Sequence, residues 1–527
     1  MMPELWQENP RSQAMSINQK PLPTQGHNAE SILHTMRTMR DHDADWEDGK
    51  VWCLVYNAGE ELSGFLKEAY TTYFSENALN PSAFPSLKRM EAEAVSMTAH
   101  LLGGGPNTVG NMTSGGTESI LMAVKTAREW ARVHKPRIKT PKMVLPSSAH
   151  PAFEKGAHYF GVEPIHVPVR ADFTADPKAM RKAITRDTVM LVGSAPSYPQ
   201  GVVDPIEEIA AIAKKRGLLC HVDACVGGMM LPFVRSLGYD VPPFDFSVDG
   251  VTSMSTDLHK YGYAAKGASV IMYSDPEIRK LQYFAYTDWS GGIYASPTMG
   301  GTRPGGAIAA AWAIMHRLGF EGYLEIAKQV MDISDTMRHG INAIDGVEIL
   351  GNPTMSVMSI GSKTHDIYKI GDEMTVRGWH LDRQQFPESL HLTINRSHLQ
   401  SAETFLSDLR ESVALVPPKT SKEILKERAQ KIALKAAVTV LPEKVVSKTT
   451  EVVSQALDLV GDGGDLPERS AAMYGMIAAL PNRGDIQSFV IDALDKMTRF
   501  DPERVIEILD APGQNTTAPS TDTQEEE

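Results

Sequence analysis

Between residues 90 and 275, short aliphatic and β-branched runs alternate with stretches of helical periodicity. The runs fall at Met143–Leu145, Pro164–Val169, Thr188–Gly193, Leu218–Val222 and Ser269–Tyr273. The segments 114–133, 176–186 and 204–216 read as helices, and in the first Ile120, Val124, Ala127 and Ala131 recur on one face. Such alternation predicts an α/β layer with a mainly parallel sheet. Ligands of such sheets bind outside the carboxyl ends of the strands, so the residues just after each run are the first to inspect.

Beyond 330 the pattern becomes mixed. A helix at 320–344 and strand-like runs at 347–360 and 390–395 predict a smaller α+β domain. The expected organisation is an N-terminal segment 1–90, opening with a loose polar arm over 1–30, then a large domain 91–330 and a smaller domain 331–510. A disordered acidic tail, 511–527, follows. The stretch 417–466 stands apart, opening with PPK, closing with GDGGD and carrying Lys-rich helical periodicity. Over 419–460 eight Lys and Arg face five Asp and Glu, which reads as a solvated helical insertion rather than a membrane or partner surface.

Composition narrows the partners. The 527 residues are 42% hydrophobic and 22% charged, a globular balance, with 65 acids against 52 bases and a net charge of −13. A dedicated nucleic-acid binder needs clustered cations, and so does a polybasic membrane anchor; neither fits, while a peripheral membrane contact stays open. The three cysteines, Cys53, Cys220 and Cys225, are too few for a disulfide framework and match no metal-ligand spacing, so no metal is expected. The N-terminus lacks a secretory apolar region. The longest apolar stretch, Ala307–Met315, falls short of the roughly 20 residues that span a bilayer. A soluble, cytoplasmic protein is expected.

Candidate chemistry gathers at a few points. Thr113-Ser-Gly-Gly-Thr-Glu-Ser119 opens the 114–133 helix, where glycines let backbone N–H groups approach an anion and the helix dipole favours one. Gly115, Gly116 and Thr117 form the heart of this cup, with the Ser114 hydroxyl as a further donor; a plain tight turn is the alternative. Asp223 ends an apolar run, where a buried carboxylate needs a cationic partner. Further on, His259 and Lys260 adjoin Lys266, just before the run that ends at Tyr273. A phosphate cup, a strand-end Asp and a His-Lys pair are together what pyridoxal phosphate requires. The lysine bonds its aldehyde, the aspartate keeps its pyridine nitrogen protonated, and His150, after another run, is positioned to stack on the ring.

These segments resemble the sphingosine-1-phosphate lyases, within the fold-type-I pyridoxal-phosphate enzymes related to group II amino-acid decarboxylases. The resemblance runs from about Val55 to near Val490, interrupted at 417–466. It rests on VYNAG (55–59), FPSLKRMEAE (84–93), TSGGTESILMA (113–123), SAHPAFEKGAHYFG (148–161) and HVDACVGG (221–228). It continues through FDFSVDGVTSMSTDLHKYGYAAKG (244–267), DWSGGIYASP (288–297), RPGG (303–306) and MYGMIA (473–478). The resemblance implies a fold-type-I large domain with a smaller α+β C-terminal domain, and a homodimer with shared active sites. It implies that Lys260 bonds the cofactor, Asp223 pairs with the pyridinium and His150 stacks, while Gly116, Thr117 and His259 contact the phosphate. Gly301 or Thr302 is implied as a contribution from a neighbouring subunit. Tyr198 and Lys266 are implied as candidates for proton handling and Tyr56 for binding the substrate phosphate. A loop tyrosine packed on its own turn and a lysine that only neutralises phosphate are the alternatives.

One departure stands out. Where the family carries Asn-Pro-Leu-His-Pro, this chain reads Asn77-Ala-Leu-Asn80-Pro81, which exchanges a cationic contact for a hydrogen bond at the substrate phosphate. Eukaryotic members resemble the chain only after a membrane-spanning N-terminus, and its lack here fits a soluble bacterial-type enzyme. The expected reaction is retro-aldol cleavage of a phosphorylated long-chain base, such as sphingosine 1-phosphate, to a fatty aldehyde and phosphoethanolamine. An amino-acid decarboxylase using the same Lys, Asp and His is the alternative, and a non-catalytic scaffold built around 417–466 is the third reading.

Overall fold

The structure is a computed structural model that describes residues 22–41 and 43–420, with 422, 471, 487, 488, 490–492, 494, 495 and 498 beyond them. Most of the 417–466 segment and the whole 511–527 tail lie outside the described residues, as does most of the 1–30 arm. The chain forms two compact units. One comprises residues 1–44, 427–467 and 479–527 and holds helix α1 (Ala29–Arg40), whose first turn is capped by Asn28 accepting from the Ser31 N–H at 2.8 Å.

The other unit, residues 45–426 and 468–478, carries the sheets. It begins with α2 (Glu60–Thr72) and α3 (Pro85–Leu101), and then a seven-stranded sheet is laid down with its helices. Its strands are β1 (Val109–Thr113), β2 (Lys142–Pro146), β3 (Glu163–Val167), β4 (Thr188–Ser194), β5 (Leu219–Asp223), β6 (Ser253–Asp257) and β7 (Ser269–Tyr273). Between them run α4 (Gly116–His134), α5 (Ala152–Phe160), α6 (Pro177–Ala183), α7 (Ile206–Arg216) and α8 (Leu231–Ser236). The order across the sheet is β1-β7-β6-β5-β4-β2-β3, and β7 alone runs antiparallel to its neighbours.

All five anticipated runs are strands of this sheet, four with ends that differ by a residue or two and Ser269–Tyr273 without change. β1 and β6 are additional, since neither has a run of apolar residues to announce it. Both faces are covered. Met143, Leu145 and Val192 pack with Ile120, Val124 and Phe153 of α4 and α5. Val144, Leu191 and Val222 pack on the opposite side with Ile206, Ile209 and Leu231 of α7 and α8. Strands buried on both faces read as unbroken apolar runs, which is why β4 and β5 were visible in the sequence.

After α9 (Pro276–Lys280), a two-stranded hairpin joins β8 (Phe284–Tyr286) to β9 (Tyr294–Ser296). The long α10 (Gly305–Asn342) absorbs the stretch Ala307–Met315, and Gly319, at φ 59°, divides it into two helical segments. A four-stranded antiparallel sheet of order β10-β11-β13-β12 follows, from β10 (Glu348–Ile349), β11 (Val357–Gly361), β12 (Asp382–Gln384) and β13 (Ser389–Thr393). It is accompanied by α11 (Ile367–Val376) and α12 (Ala402–Leu415). Among the described residues no helix is long and apolar enough to cross a membrane.

Candidate active site

The carboxyl ends of β2, β4, β5 and β6 and the start of α4 border one cavity of about 400 Å³. At the start of α4 the first-turn N–H groups have no partner inside the helix, and the helix dipole adds positive character. A Cβ at Gly116 would stand 2.8 Å from Cys225 Sγ and 2.9 Å from both Asp257 oxygens, so only glycine fits this turn. Thr113 Oγ1 and Ser119 Oγ lie 2.7 Å apart, and Ser119 bonds Ser269 on β7 at 2.9 Å, fixing the entry to the sheet. Glu118 accepts from the Ser114 N–H at 2.6 Å, from the Ser114 hydroxyl at 2.7 Å and from the Met299 N–H at 2.9 Å. The Ser114 hydroxyl, a donor in the sequence reading, is therefore spent on Glu118.

Asp223 closes β5 with its Oδ1 accepting from the Cys225 N–H at 3.1 Å and the Ser255 hydroxyl at 3.3 Å. Ser255 also lies 3.3 Å from Nε2 of His221, whose Nδ1 stands 2.9 Å from Ser253 Oγ, so a polar chain runs from the site into the sheet. His150 sits in the turn after β2; its Nδ1 accepts from the Ala152 N–H at 3.1 Å. Burial pulls its pKa down, with Asp223 pulling the other way.

Asp257, at the end of β6, is the acid that the sequence reading passed over. Its Oδ2 lies 2.9 Å from Lys260 Nζ and 3.8 Å from His259 Nε2. Burial alone would raise its pKa, but Lys260 and then His259 hold it below the usual carboxylate range. Lys260 feels the reverse: burial opposes its charge, Asp257 favours it more strongly, and its pKa ends well above the ordinary lysine value. His259 Nδ1 accepts from the Ala268 N–H at 3.1 Å, and burial lowers the pKa of its ring.

Gly115, Gly116, Thr117, His150, Tyr198, Asp223, His259 and Lys260 thus meet around one cavity, joined by Asp257 and Cys225. Tyr198 enters from a turn gripped by the smaller sheet. Its hydroxyl donates to Asp382 Oδ2 at 3.0 Å, and its ring stacks on His391 at 4.0 Å. Next to it, the Pro199 carbonyl accepts from Gln384 Nε2 at 2.9 Å and from Ser359 Oγ. Gly201 receives the Thr354 N–H at 2.9 Å; at φ +69°, a Cβ there would also overlap the Val357 carbonyl.

The remaining anticipated residues stand outside the cavity wall. Lys266 Nζ donates to the Leu54 carbonyl at 2.8 Å and lies 5.3 Å from the centre of the Tyr56 ring. Burial of part of its side chain, then Lys260, lower its pKa to about 8; the side chain keeps contact with water, so the ammonium persists at neutral pH. Burial pushes the Tyr56 phenol up to about 12. Asn77 Oδ1 accepts from the Leu79 and Arg303 N–H groups at 3.0 and 3.1 Å, and its Nδ2 bonds Thr302 Oγ1 at 3.3 Å. Asn80 Oδ1 accepts from the Ser82 and Ala83 N–H groups at 3.0 and 3.2 Å. Gly301 and Thr302 occupy the loop between β9 and α10.

A mainly parallel sheet with a lysine, a strand-end aspartate and a glycine-lined helix start at one edge defines the pyridoxal-phosphate class of enzymes. The model of the pyridoxal-dependent decarboxylase conserved domain matches residues 12–360. The sphingosine-1-phosphate lyase of Oryza sativa is 46% identical over 403 residues, covering 75% of this chain and 74% of its own. Sphingosine-1-phosphate lyase 1 of Rattus norvegicus is 45% identical over 400 residues, covering 75% and 70%. The solved structure of the Burkholderia pseudomallei sphingosine-1-phosphate lyase superposes with a TM-score of 0.73 at 39% identity, over 82% of this chain and all of that one. The chain belongs to the sphingosine-1-phosphate lyase family of pyridoxal-dependent enzymes. A Lactobacillus brevis glutamate decarboxylase, with a TM-score of 0.67 at 17% identity over 76% of this chain and 96% of its own, shares the fold.

Pyridoxal phosphate is the cofactor of this enzyme, and the residues present fit it. Gly116 leaves a cradle that any Cβ would fill, the first turn of α4 offers N–H donors without partners inside the helix, and Asp223 presents a carboxylate to the same cavity.

Proposed function

We propose that this chain is a pyridoxal-phosphate-dependent carbon–carbon lyase that cleaves sphingosine 1-phosphate, or a related phosphorylated long-chain base, to a fatty aldehyde and phosphoethanolamine. The observation that carries this reading is the 46% identity to a named lyase over 403 residues. When bound, the cofactor supplies the electron sink into which the bond between the amine-bearing and hydroxyl-bearing carbons can break.

The chain's own residues do the rest. Lys260 holds the cofactor covalently, and Asp223 keeps a proton on the pyridine nitrogen. His150 stacks against the ring, while Gly115, Gly116, Thr117 and His259 hold the phosphate. Tyr198 and Lys266 move protons; a pKa of about 8 suits Lys266 to exchange one near neutrality. Tyr56, Asn77, Asn80 and Lys266 receive the substrate phosphate. In support, Lys266 and Tyr56 are neighbours, and Asn80 commits its oxygen to its own turn and keeps its NH₂ as a donor.

The enzyme acts as a homodimer in this reading, with Gly301 and Thr302 reaching the cofactor phosphate of the partner subunit. The hairpin of β8 and β9 supports a partner, because Phe284, Tyr286, Trp289 and Ile293 all stand exposed there. A division into a large domain, 91–330, and a smaller one from 331 goes with this function. So does a cytoplasmic location, in keeping with three buried free thiols.

The deciding experiment incubates holoenzyme with sphingosine 1-phosphate and with its unphosphorylated analogue and follows products by mass spectrometry. Aldehyde and phosphoethanolamine are expected from the phosphorylated substrate, with none from Lys260→Ala. Carbon dioxide from glutamate, tyrosine or aspartate, with no aldehyde, would overturn the reading in favour of a decarboxylase.

A further inference from the structure

Two extended segments lie side by side beyond Tyr198. The His380 N–H donates to the Lys50 carbonyl at 2.9 Å and the Trp52 N–H to the His380 carbonyl at 3.2 Å, with Val51 and His380 paired in a parallel bridge. Side chains alternate along extended backbone, so residues two apart share a side. That relation brings His380 and Asp382 to one side, with Cys53 supplied from the neighbouring segment. A ring nitrogen of His380, a carboxylate oxygen of Asp382 and Cys53 Sγ all lie within 4.8 Å of one another.

Thiolate, imidazole and carboxylate form a donor set for borderline-soft divalent ions. Zinc is served by this combination at four-coordinate sites, whereas calcium and magnesium prefer oxygen alone. Burial is graded across the cluster: Cys53 is buried, Asp382 is half-buried and His380 is exposed. An ion therefore has an approach from solvent past the imidazole and a dry thiol at the far end. The Tyr198 hydroxyl, donating to Asp382 Oδ2 at 3.0 Å, orients the carboxylate as outer-sphere donors commonly do at metal sites.

We propose that Cys53, His380 and Asp382 form a binding site for a zinc-type divalent ion on the outer side of Tyr198. Binding replaces the proton on Cys53, which leaves to water, and no electron is transferred. The fourth position is left to a water molecule at the His380 side. Because Asp382 also accepts from Tyr198, an ion there is linked to the cavity wall through one shared carboxylate.

The site is tested by metal binding alone, without a readout of lyase activity. Untagged holoenzyme is dialysed to equilibrium against zinc ions, and bound metal is measured by elemental analysis. About one tight zinc per chain is expected. Cys53→Ser, His380→Ala and Asp382→Asn should each weaken it at least about tenfold, while Cys225→Ser should retain it. If Cys53→Ser fails to fold, the exposed His380→Ala decides, with far-ultraviolet circular dichroism as the check on folding. X-ray absorption at the zinc edge should report one sulfur ligand. No stoichiometric zinc in the wild type, uptake unchanged in His380→Ala, or a zinc shell without sulfur would each overturn the proposal.

Discussion

Asp257 carries the sharpest consequence at the scale of single residues. It is buried, it touches Lys260 at 2.9 Å, and its Oδ1 has no hydrogen-bond partner among the described residues. An ammonium is not a nucleophile, so with Lys260 as the proposed cofactor lysine this pairing would govern how readily it attaches to the cofactor aldehyde. Asp257→Asn removes the charge that holds Lys260 protonated and leaves burial to lower its pKa. The pH profile of cofactor attachment, read from absorbance near 420 nm as apoenzyme is reconstituted, should move to lower pH by about one unit or more. An unmoved profile would show that Asp257 does not set the lysine's charge. Gly116→Ala tests the cradle from the other side. Its methyl group has no room beside Cys225 and Asp257, so cofactor affinity should fall at least about tenfold, with a stability cost of about 1–3 kcal/mol. Dialysis followed by the same absorbance measures the first, and urea unfolding the second. That Lys260, Asp223, His150 and His259 gather at one cavity was legible in the sequence because each follows a recognisable run or sits in a distinctive segment. Asp257 belongs to the same segment as Lys260, yet its role depends on Gly116 and Cys225 meeting it in space. The Cys53, His380 and Asp382 cluster was illegible for the same reason, since its members are brought together only by the pairing of distant segments.

Legibility of the elements followed the same physics. β4 is built around the apolar run Val189–Val192 and β5 follows on from Leu218-Leu219-Cys220, so both declared themselves, but β6 is Ser-Met-Ser-Thr-Asp with every residue buried. Its Ser253 and Ser255 hydroxyls are matched to His221 and Asp223, a pairing that no reading of periodicity can supply. In the helix anticipated at 320–344 the periodic part was seen; the structure extends it back to Gly305, across the break at Gly319. The hairpin of β8 and β9 yields its own prediction. Trp289 and Ile293 are 55% and 78% exposed, far more than large apolar groups of a finished surface need to be. Burying each against a partner is worth about 1.5–3 kcal/mol, so Trp289→Ser with Ile293→Ser should weaken the proposed dimer at least about a hundredfold. Analytical ultracentrifugation should find the parent as the proposed dimer and the double variant as monomer; unchanged sedimentation would remove this hairpin from the interface.

For the molecule as a whole, buried histidines set the response to acid. His398 stacks on Trp52 at 4.0 Å, with its Nδ1 accepting from the Asn395 N–H at 3.0 Å and its Nε2 3.0 Å from the Val51 carbonyl. A second ring proton would displace that accepted bond, and burial depresses the pKa of His398 to about 4. Burial does the same to His221, again to about 4. Both pKa values lie below the unfolded value of 6.5, so the stability they contribute is complete above pH 6.5, is lost progressively as pH falls from there, and is gone below about 4. By pH 5 each should cost about 2 kcal/mol relative to pH 7, which a drop in the urea midpoint will register. His398→Gln should flatten that dependence even if it lowers stability at pH 7. A last consequence lies in the turn around Tyr198, gripped by Asp382, Gln384, Ser359 and Thr354 of the smaller sheet and its flanking loop. The proposed cofactor residues stand at the strand ends of the larger sheet, whereas the Tyr198 turn is held by the smaller one. Substitutions in the smaller sheet reach the cavity by moving Tyr198, so a lineage built on this plan can reshape one part of the wall while Asp223, His259 and Lys260 keep their places at the strand ends of the larger sheet.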